Sequence, residues 1–203
     1  RNYVRYVNGE GGVHGRKIKD IYEDSRYTIP GDIAAFIKLV FKDEIFAMLG
    51  ASSTGGTVAL FPQIEKHKLP TVAASQAESM YTPPKRYVFC TAAGYSEEVK
   101  VLFDFIMKDL KAKNPRIGIV YPDVEFGKTN LEQAKKSAKH YGVDLYSEVL
   151  NLGALEASSQ VMLLQKNKVT HVIVVQLVSG AICFLREARK FKLNVPLLGT
   201  GWT

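Results

Sequence analysis

The sequence predicts an α/β fold made of two lobes, each built on a doubly wound parallel sheet. Short apolar runs of strand length alternate along the chain with longer stretches in which apolar residues recur at helical period. Most of the short runs are nearly continuous in apolar character, which is typical of parallel strands covered by helices on both faces. Hydrophobic residues make up 46% of the 203 residues, which is enough to build sizeable cores.

The first part of the chain predicts four strands and three helices. The opening helix has no N-cap in front of it and stops at Gly9, as the second half of a helix would. The predicted strands are residues 16–24, 45–49, the run that ends at 73–75, and 86–91. The predicted helices are residues 1–8, 32–43 with its apolar stripe, and one that follows the loop 50–56.

The second part of the chain is a strict alternation of strand and helix. Ser96 is the expected N-cap of a long helix that carries Glu97 and Glu98 in its first turn and ends before Pro115. The strands that follow are 117–121, 143–150, 171–176 and 195–199. The helices between them are 127–141, 158–168 and 180–191. A change of composition near residues 91–95 marks the crossover, so we expect lobe 1 in residues 1–92 and lobe 2 in residues 93–203.

The loop 50–56, Gly-Ala-Ser-Ser-Thr-Gly-Gly, is the strongest candidate for a binding site. It joins a strand to a helix start, where unpaired backbone N–H groups and the helix dipole favour an anion. Its glycine spacing is that of a nucleotide-binding loop, but Gly56 stands where the phosphate-binding lysine is needed. Ser52 also lacks the following x-Gly of a serine hydrolase elbow. A turn without a ligand role and an enzyme that uses these glycines stay open as alternatives.

Composition and spacing argue against several other classes of protein. Lysines and arginines are interspersed with acidic residues, so the formal net charge of +7 does not predict nucleic-acid binding. The four histidines are not spaced for a metal site, and we expect no metal and no cofactor. Cys90 and Cys183 lie in apolar contexts and are expected to be buried free thiols. With no bilayer-length apolar run and no signal segment, the numbered chain is typical of a cytoplasmic or an already processed protein.

Several phrases occur in a characteristic order and spacing. They are YVNGEGGVHG at residues 6–15, LG at 49–50 before the hydroxyl-rich loop, KRYVF at 85–89, DVEFG at 123–127 and FLREAR at 184–189. Together they resemble the type I periplasmic binding proteins of the branched-chain amino acid (Leu/Ile/Val) ABC transporter class. The resemblance runs through the whole chain and implies the type I periplasmic binding protein fold. It also implies a chain incomplete at both ends, because family members start before the equivalent of Arg1 and continue past that of Thr203.

The resemblance implies a ligand site that begins in the first lobe. Family members hold the ligand carboxylate with hydroxyl and backbone N–H groups at one loop and one strand end. The matching positions here are Ser53, Thr54, Ala73, Ala74, Ser75 and Ala77. Amino-acid binders have a threonine at the position of Ala77, so Ser75 or Ser79 would have to compensate for it. Some members also join two loops by a disulfide at the positions of Arg26 and Ser53, and that disulfide is absent here.

The second lobe departs further from those amino-acid binders. Phe126 and Leu177 stand where they have tyrosines, and Gly201 stands where a carboxylate binds the ligand's ammonium group. An ammonium group needs such acceptors to offset its desolvation. Phe126, Tyr95 and Trp202 could instead form an aromatic wall, although core packing of Phe126 and Leu177 and hinge packing of Tyr95 stay open. Gln176, at a strand end of this lobe, completes the candidates.

We therefore expect the extracytoplasmic, periplasmic solute-binding component of an ABC transporter, which performs no chemistry. Its expected ligand is a small carboxylate-bearing molecule, either an amino acid or an aromatic or aliphatic acid. Its expected macromolecular partner is the membrane permease, with no nucleic acid, and the protein is expected to be a monomer. The alternative is the ligand-sensing domain of a regulator or receptor.

Overall fold

Two separate parallel sheets organise the computed structural model, which describes residues 2–203. The strands are β1 (Met48–Leu49), β2 (Thr71–Val72), β3 (Val88–Phe89), β4 (Arg116–Tyr121), β5 (Asp144–Val149), β6 (His171–Val174) and β7 (Leu197–Gly199). The helices are α1 (Asn2–Gly9), α2 (Ile29–Phe41), α3 (Thr54–His67), α4 (Tyr95–Asp104), α5 (Glu125–Tyr141), α6 (Ser158–Lys166) and α7 (Val178–Lys190). A 3₁₀ turn covers Glu78–Met80, and a π-helical turn at Phe105–Asp109 continues α4.

All described strand pairs are parallel, as the apolar runs predict. The first sheet has the order β1-β2-β3, and the second has the order β5-β4-β6-β7. In the second sheet β4 lies inside, which fits its near-continuous burial over Ile117, Gly118, Ile119 and Val120. Helical crossovers therefore separate the strands, and the predicted α/β class is confirmed.

The apolar side chains of the second sheet divide between two cores. Ile117 and Ile119 of β4 belong to a large cluster that also contains Leu60 of α3 and Phe126 of α5. Val120 faces the opposite side and packs in a second cluster, built mainly under α6 and α7. Because successive side chains of a strand point to opposite faces, helices cover this sheet on both sides.

The predicted strand at residues 16–24 is wrong. Only an isolated bridge, Val13 to Arg16, occurs there, and the segment has no neighbouring strand among residues 2–203. The backbone N–H and carbonyl groups of Ile18 are satisfied by the side chain of Asn8 at 2.7 and 2.8 Å. A strand requires a partner ladder, and the alternation of residue types cannot supply one.

Two predicted helix starts are displaced because different residues cap them. Helix α2 begins at Ile29, where the hydroxyl of Thr28 accepts a hydrogen bond from the Gly31 N–H at 3.1 Å. Helix α4 begins after Gly94, and Ser96 lies buried inside it instead of capping it. A Cβ at position 94 would lie 2.1 Å from the Tyr81 hydroxyl oxygen, so a larger residue there would displace this side chain. No helix within residues 2–203 has the length and hydropathy to cross a membrane.

Candidate functional site

A cleft of about 470 Å³ lies between the N-terminal ends of α3 and α5. It is at the carboxyl ends of β1 and β4, where open α/β sheets collect their ligands. The first sheet and its loops contribute Tyr27, Ile29, Ser53, Thr54, Gly55, Val58 and Ala59. The second contributes Val124, Glu125 and Phe126.

Ser53 is the N-cap of α3, and its hydroxyl is engaged by the protein itself. Its backbone is extended (φ −103°, ψ 147°), and its Oγ accepts a hydrogen bond from the Gly56 N–H at 2.9 Å. The same hydroxyl donates to Oδ2 of Asp32 at 2.5 Å. Ser53 thus shapes the loop, and its only hydroxyl proton is already directed at a carboxylate.

Thr54 and Ser75 form a hydroxyl pair next to the start of α3. Their Oγ1 and Oγ atoms are 2.9 Å apart, and each residue is 2% exposed. The Ala77 N–H also donates to Ser75 Oγ at 3.2 Å. Two hydroxyl protons share one mutual bond, so one proton is left without a protein acceptor among residues 2–203. Thr54 is in the lining of the cleft, whereas Ser75 lies behind it.

Ala73 and Ala74, the other two predicted alanines at this strand end, have no polar side-chain atom. Their only polar groups are those of the backbone. Ala73 is buried and its N–H extends the β2–β3 ladder by a bond to the Phe89 carbonyl at 2.9 Å. Ala74 is half-buried.

The thiol of Cys90 contacts the Ser75 carbonyl at 3.7 Å, and Cys90 and Cys183 are both free.

An aromatic pair lies at the cleft, with Phe126 in the lining and Tyr95 buried behind it. The rings of Tyr95 and Phe126 pack edge to face with centroids 5.1 Å apart, and both residues are buried. Tyr27 was not predicted, yet it lines the cleft. Burial, followed by the proximity of Tyr95 and Asp32, raises the pKa of Tyr27 to about 12, so its phenol keeps its proton at neutral pH. The only signal for Tyr27 in the sequence was its position next to Arg26. In some members of the family that the sequence resembles, the positions of Arg26 and Ser53 are joined by a disulfide.

Besides Tyr95, three of the predicted residues that follow β3 lie outside the cleft lining. Gln176 is fully buried and its amide donates to the Leu150 carbonyl at 2.8 Å. Leu177 is half-buried and packs against the large core cluster. Trp202 is 41% exposed and forms no ring pair with Tyr95 or Phe126 among the described residues. The structure therefore brings together two members of the expected aromatic wall.

Glu98 is a second residue that the sequence reasoning left without a role. Its Oε2 accepts a hydrogen bond from the Gly201 N–H at 3.3 Å. A Cβ on Gly201 would lie 2.7 Å from Oε1, so the carboxylate of α4 lies directly beside position 201. No ion pair of Glu98 occurs within the described part of the chain. Burial raises the pKa of Glu98 above the usual value, and the bond from Gly201 partly opposes this shift.

The substitution Glu98→Gln is expected to flatten the pH dependence of stability. Because the folded pKa of Glu98 exceeds the unfolded pKa, its stabilising contribution is complete below the unfolded pKa and is lost as pH rises through the folded pKa. Glutamine keeps the shape without the charge. Urea unfolding midpoints at about pH 4 and about pH 7 measure the effect.

The control for this experiment is Glu97→Gln, which removes an exposed carboxylate from the same turn. It should leave the pH dependence of the wild type nearly unchanged. Identical pH profiles for Glu98→Gln and the wild type would contradict the assignment.

A metal centre has no support in this part of the molecule. Among residues 2–203 no group of three or more histidine, cysteine, aspartate or glutamate side chains could hold a metal ion.

Comparisons with known proteins give one family and one fold. A family model described as periplasmic binding protein matches residues 1–203. A comparison with curated proteins gave no match. Among solved structures, a branched-chain amino acid ABC transporter protein from Thermus thermophilus with bound valine is similar, with 24% identity and a TM-score of 0.87. The alignment covers 100% of this chain and 53% of that one.

Two further structures extend the comparison. A fatty acid ABC transporter substrate-binding protein from Thermomonospora curvata has 23% identity and a TM-score of 0.83, with 97% of this chain and 50% of that chain covered. A branched-chain amino acid transporter substrate-binding protein from Streptococcus pneumoniae in complex with isoleucine has 18% identity and a TM-score of 0.81, with 97% and 56% covered. At these identities the similarities establish the fold, and the chain spans about half the length of each matched structure.

Proposed function

The chain belongs to the periplasmic binding protein family, and on that premise we propose that it is part of the substrate-binding component of an ABC transporter. In this proposal the protein captures a small carboxylate-bearing ligand between two lobes, outside the cytoplasm. The observation that carries the proposal is the Thr54–Ser75 pair, which has one spare hydroxyl proton and of which Thr54 lines the cleft at the start of α3. A hydroxyl donor is suited to a carboxylate oxygen, because a hydrogen bond to an ionised acceptor is a strong one.

The apolar part of the cleft supports a ligand with an apolar or aromatic body. Ile29, Val58, Val124 and the ring of Phe126 all line it, and hydrophobic walls with few polar groups are typical of small-molecule sites. The matched structures point the same way, since valine, isoleucine and fatty acids each join a carboxylate to an apolar body. The ligand we propose is therefore an amino acid or an aromatic or aliphatic acid.

We assign lobe 1 to residues 1–92 and lobe 2 to residues 93–203, with the crossover at 91–95. Each of the two sheets falls inside one of these ranges. Closure of the lobes would exclude water and strengthen the hydrogen bonds to the carboxylate. The predicted ligand residues Gln176, Leu177 and Trp202 belong to the loops of lobe 2. In this proposal they come near the ligand only when the lobes close.

Binding without chemistry is part of the proposal. The hydroxyls of Thr54 and Ser75 bond to each other and to a backbone N–H, and no basic side chain bonds to them within residues 2–203. A nucleophilic hydroxyl needs an adjacent base, so this pair is suited to binding a ligand. The proposed partner is the membrane permease, and the proposed state is a monomer that binds no nucleic acid.

Calorimetric titration of the complete protein tests the proposed function. The probes are leucine, phenylalanine, benzoate and hexanoate, and small-angle scattering follows closure of the lobes. We expect at least one probe to bind at micromolar concentration and to reduce the radius of gyration. The absence of binding by every probe would overturn the proposal.

A further inference from the structure

A buried carboxylate lies directly behind the cleft loop. Asp32 of α2 is 3% exposed, and its Oδ2 accepts the hydrogen bond from Ser53 Oγ at 2.5 Å. Ser52 Oγ lies 3.4 Å from the other oxygen and is linked to Ser25 Oγ at 2.8 Å. No lysine, arginine or histidine forms an ion pair with Asp32 in the described part of the chain. The side-chain hydrogen bonds of its carboxylate in that part of the chain therefore come from hydroxyl groups.

The Asp32 carboxylate also touches the first turn of α3. A Cβ built on Gly56 would lie 1.9 Å from Asp32 Oδ2 and 2.5 Å from its Cγ. The carboxylate thus lies against the backbone at the helix N-terminus, where the helix dipole is positive. The positive end that would otherwise attract the anion of a ligand is already balanced by a negative charge of the protein.

The opposite wall of the cleft has the same sign of charge. Glu125 lies in the first turn of α5 and lines the cleft, and its Cβ is 3.9 Å from the position of a Cβ on Gly55. The nearby Lys128 is paired with Asp123 at 3.0 Å, and neither residue is in the cleft lining. The lining residues include no lysine, arginine or histidine. A ligand that enters therefore has the Glu125 carboxylate in the lining, the buried Asp32 carboxylate behind the loop, and no cationic side chain to offset a second negative charge.

We infer that Asp32 is a specificity-determining residue, which makes the cleft accept a single carboxylate and reject ligands with two. The spare hydroxyl proton of the Thr54–Ser75 pair satisfies one oxygen of the first carboxylate and offsets its repulsion by Asp32, while no cationic side chain of the lining offsets the repulsion of a second anionic group across a medium of low dielectric constant. Monocarboxylates with an apolar body are thus selected over dicarboxylates of the same length. The inference rests on the proposed function and names the ligand class of the same site.

The test compares matched acids in the complete protein. The probes are hexanoate with hexanedioate, and benzoate with benzene-1,4-dicarboxylate, titrated by calorimetry into the wild type and into Asp32→Asn. The wild type should prefer the monocarboxylate of each pair. In Asp32→Asn the dicarboxylate should gain about tenfold or more in affinity relative to the monocarboxylate, because the side chain keeps its shape and loses its charge. The matched control is Asp123→Asn, an exposed carboxylate outside the cleft lining, which should leave the ratio unchanged.

A wild-type measurement keeps the inference testable even if Asp32→Asn does not fold. The monomethyl esters of the two dicarboxylates have the size of the diacid but only one charge. They should bind the wild type about as well as the monocarboxylates. Rejection of the esters as strong as that of the diacids would show a steric cause and overturn the inference.

The two proposals fail in different ways. A wild type that binds none of the monocarboxylates or the amino acids of the earlier titration overturns the proposed function, and the inference falls with it. A wild type that binds a monocarboxylate but does not prefer it over the matched diacid overturns the inference alone. If folded Asp32→Asn has the same ratio of dicarboxylate to monocarboxylate affinity as the wild type, the inference alone is also overturned.

Discussion

Substitution of Gly56 by alanine is expected to destabilise the folded chain by about 3 kcal/mol. In an exposed helix interior the same change would stabilise by about 1 kcal/mol, because alanine is the better helix former. Here the new Cβ would lie 1.9 Å from Asp32 Oδ2, so the carboxylate must move. Moving it breaks the buried bond from Ser53 and leaves a charge without its donor, which costs more than the helix gains. Urea unfolding of the complete protein, followed by circular dichroism, measures the loss.

A matched substitution and a double mutant identify the cause. Gly9→Ala places a Cβ where nothing lies within 4 Å, so it should change the stability by less than about 0.5 kcal/mol. In the double mutant Gly56→Ala/Asp32→Ala the carboxylate is gone, although the Asp32 Cβ remains 2.7 Å away. The double mutant should therefore be less destabilised than the sum of the single mutants. Additive effects would show that Asp32 is not the group that Gly56 accommodates.

The fold could be predicted where the signal was local. Strand β4 and helix α5 begin and end within two residues of their predicted bounds, because a continuous apolar run and a long amphipathic stripe each carry their own period. Residues 16–24 failed because a strand depends on a neighbour that the segment's own sequence does not encode. The N-cap of α4 is Gly94 and not Ser96, and a Cβ at position 94 would meet the Tyr81 hydroxyl, a contact between residues that are 13 positions apart.

The site could be predicted only in part, for a similar reason. The resemblance supplied Thr54 and Ser75, and the structure shows these residues, 21 positions apart, in direct hydrogen-bond contact. Asp32 has the sequence context of an ordinary polar residue in the first turn of a helix. Its burial follows from the packing of α2 against α3, so its charge behind the loop was visible only in three dimensions.

Replacement of Thr54 by valine is expected to weaken carboxylate binding by about 10- to 100-fold, the equivalent of about 1.5–3 kcal/mol for a hydrogen bond to a charged group. Valine has nearly the shape of threonine, so the helix start and the cleft wall are kept while the hydroxyl is lost. Ser75 then has no hydroxyl partner, but its Oγ still accepts from the Ala77 N–H. The preceding residue, Ser53, continues to cap α3, which separates the loss of binding from a loss of structure. Calorimetric titration of the complete protein with its best ligand measures the change.

Thr54→Ser is the matched control, because it restores a hydroxyl at the same atom position and should bind within about threefold of the wild type. Ser75→Ala is a less selective variant, since it also leaves the buried Ala77 N–H without its acceptor and should lower both affinity and stability. If Thr54→Val binds the ligand as tightly as the wild type, the Thr54 hydroxyl does not hold the carboxylate. The carboxylate would then have to be held by the Ser75 hydroxyl or by backbone N–H groups at the start of α3.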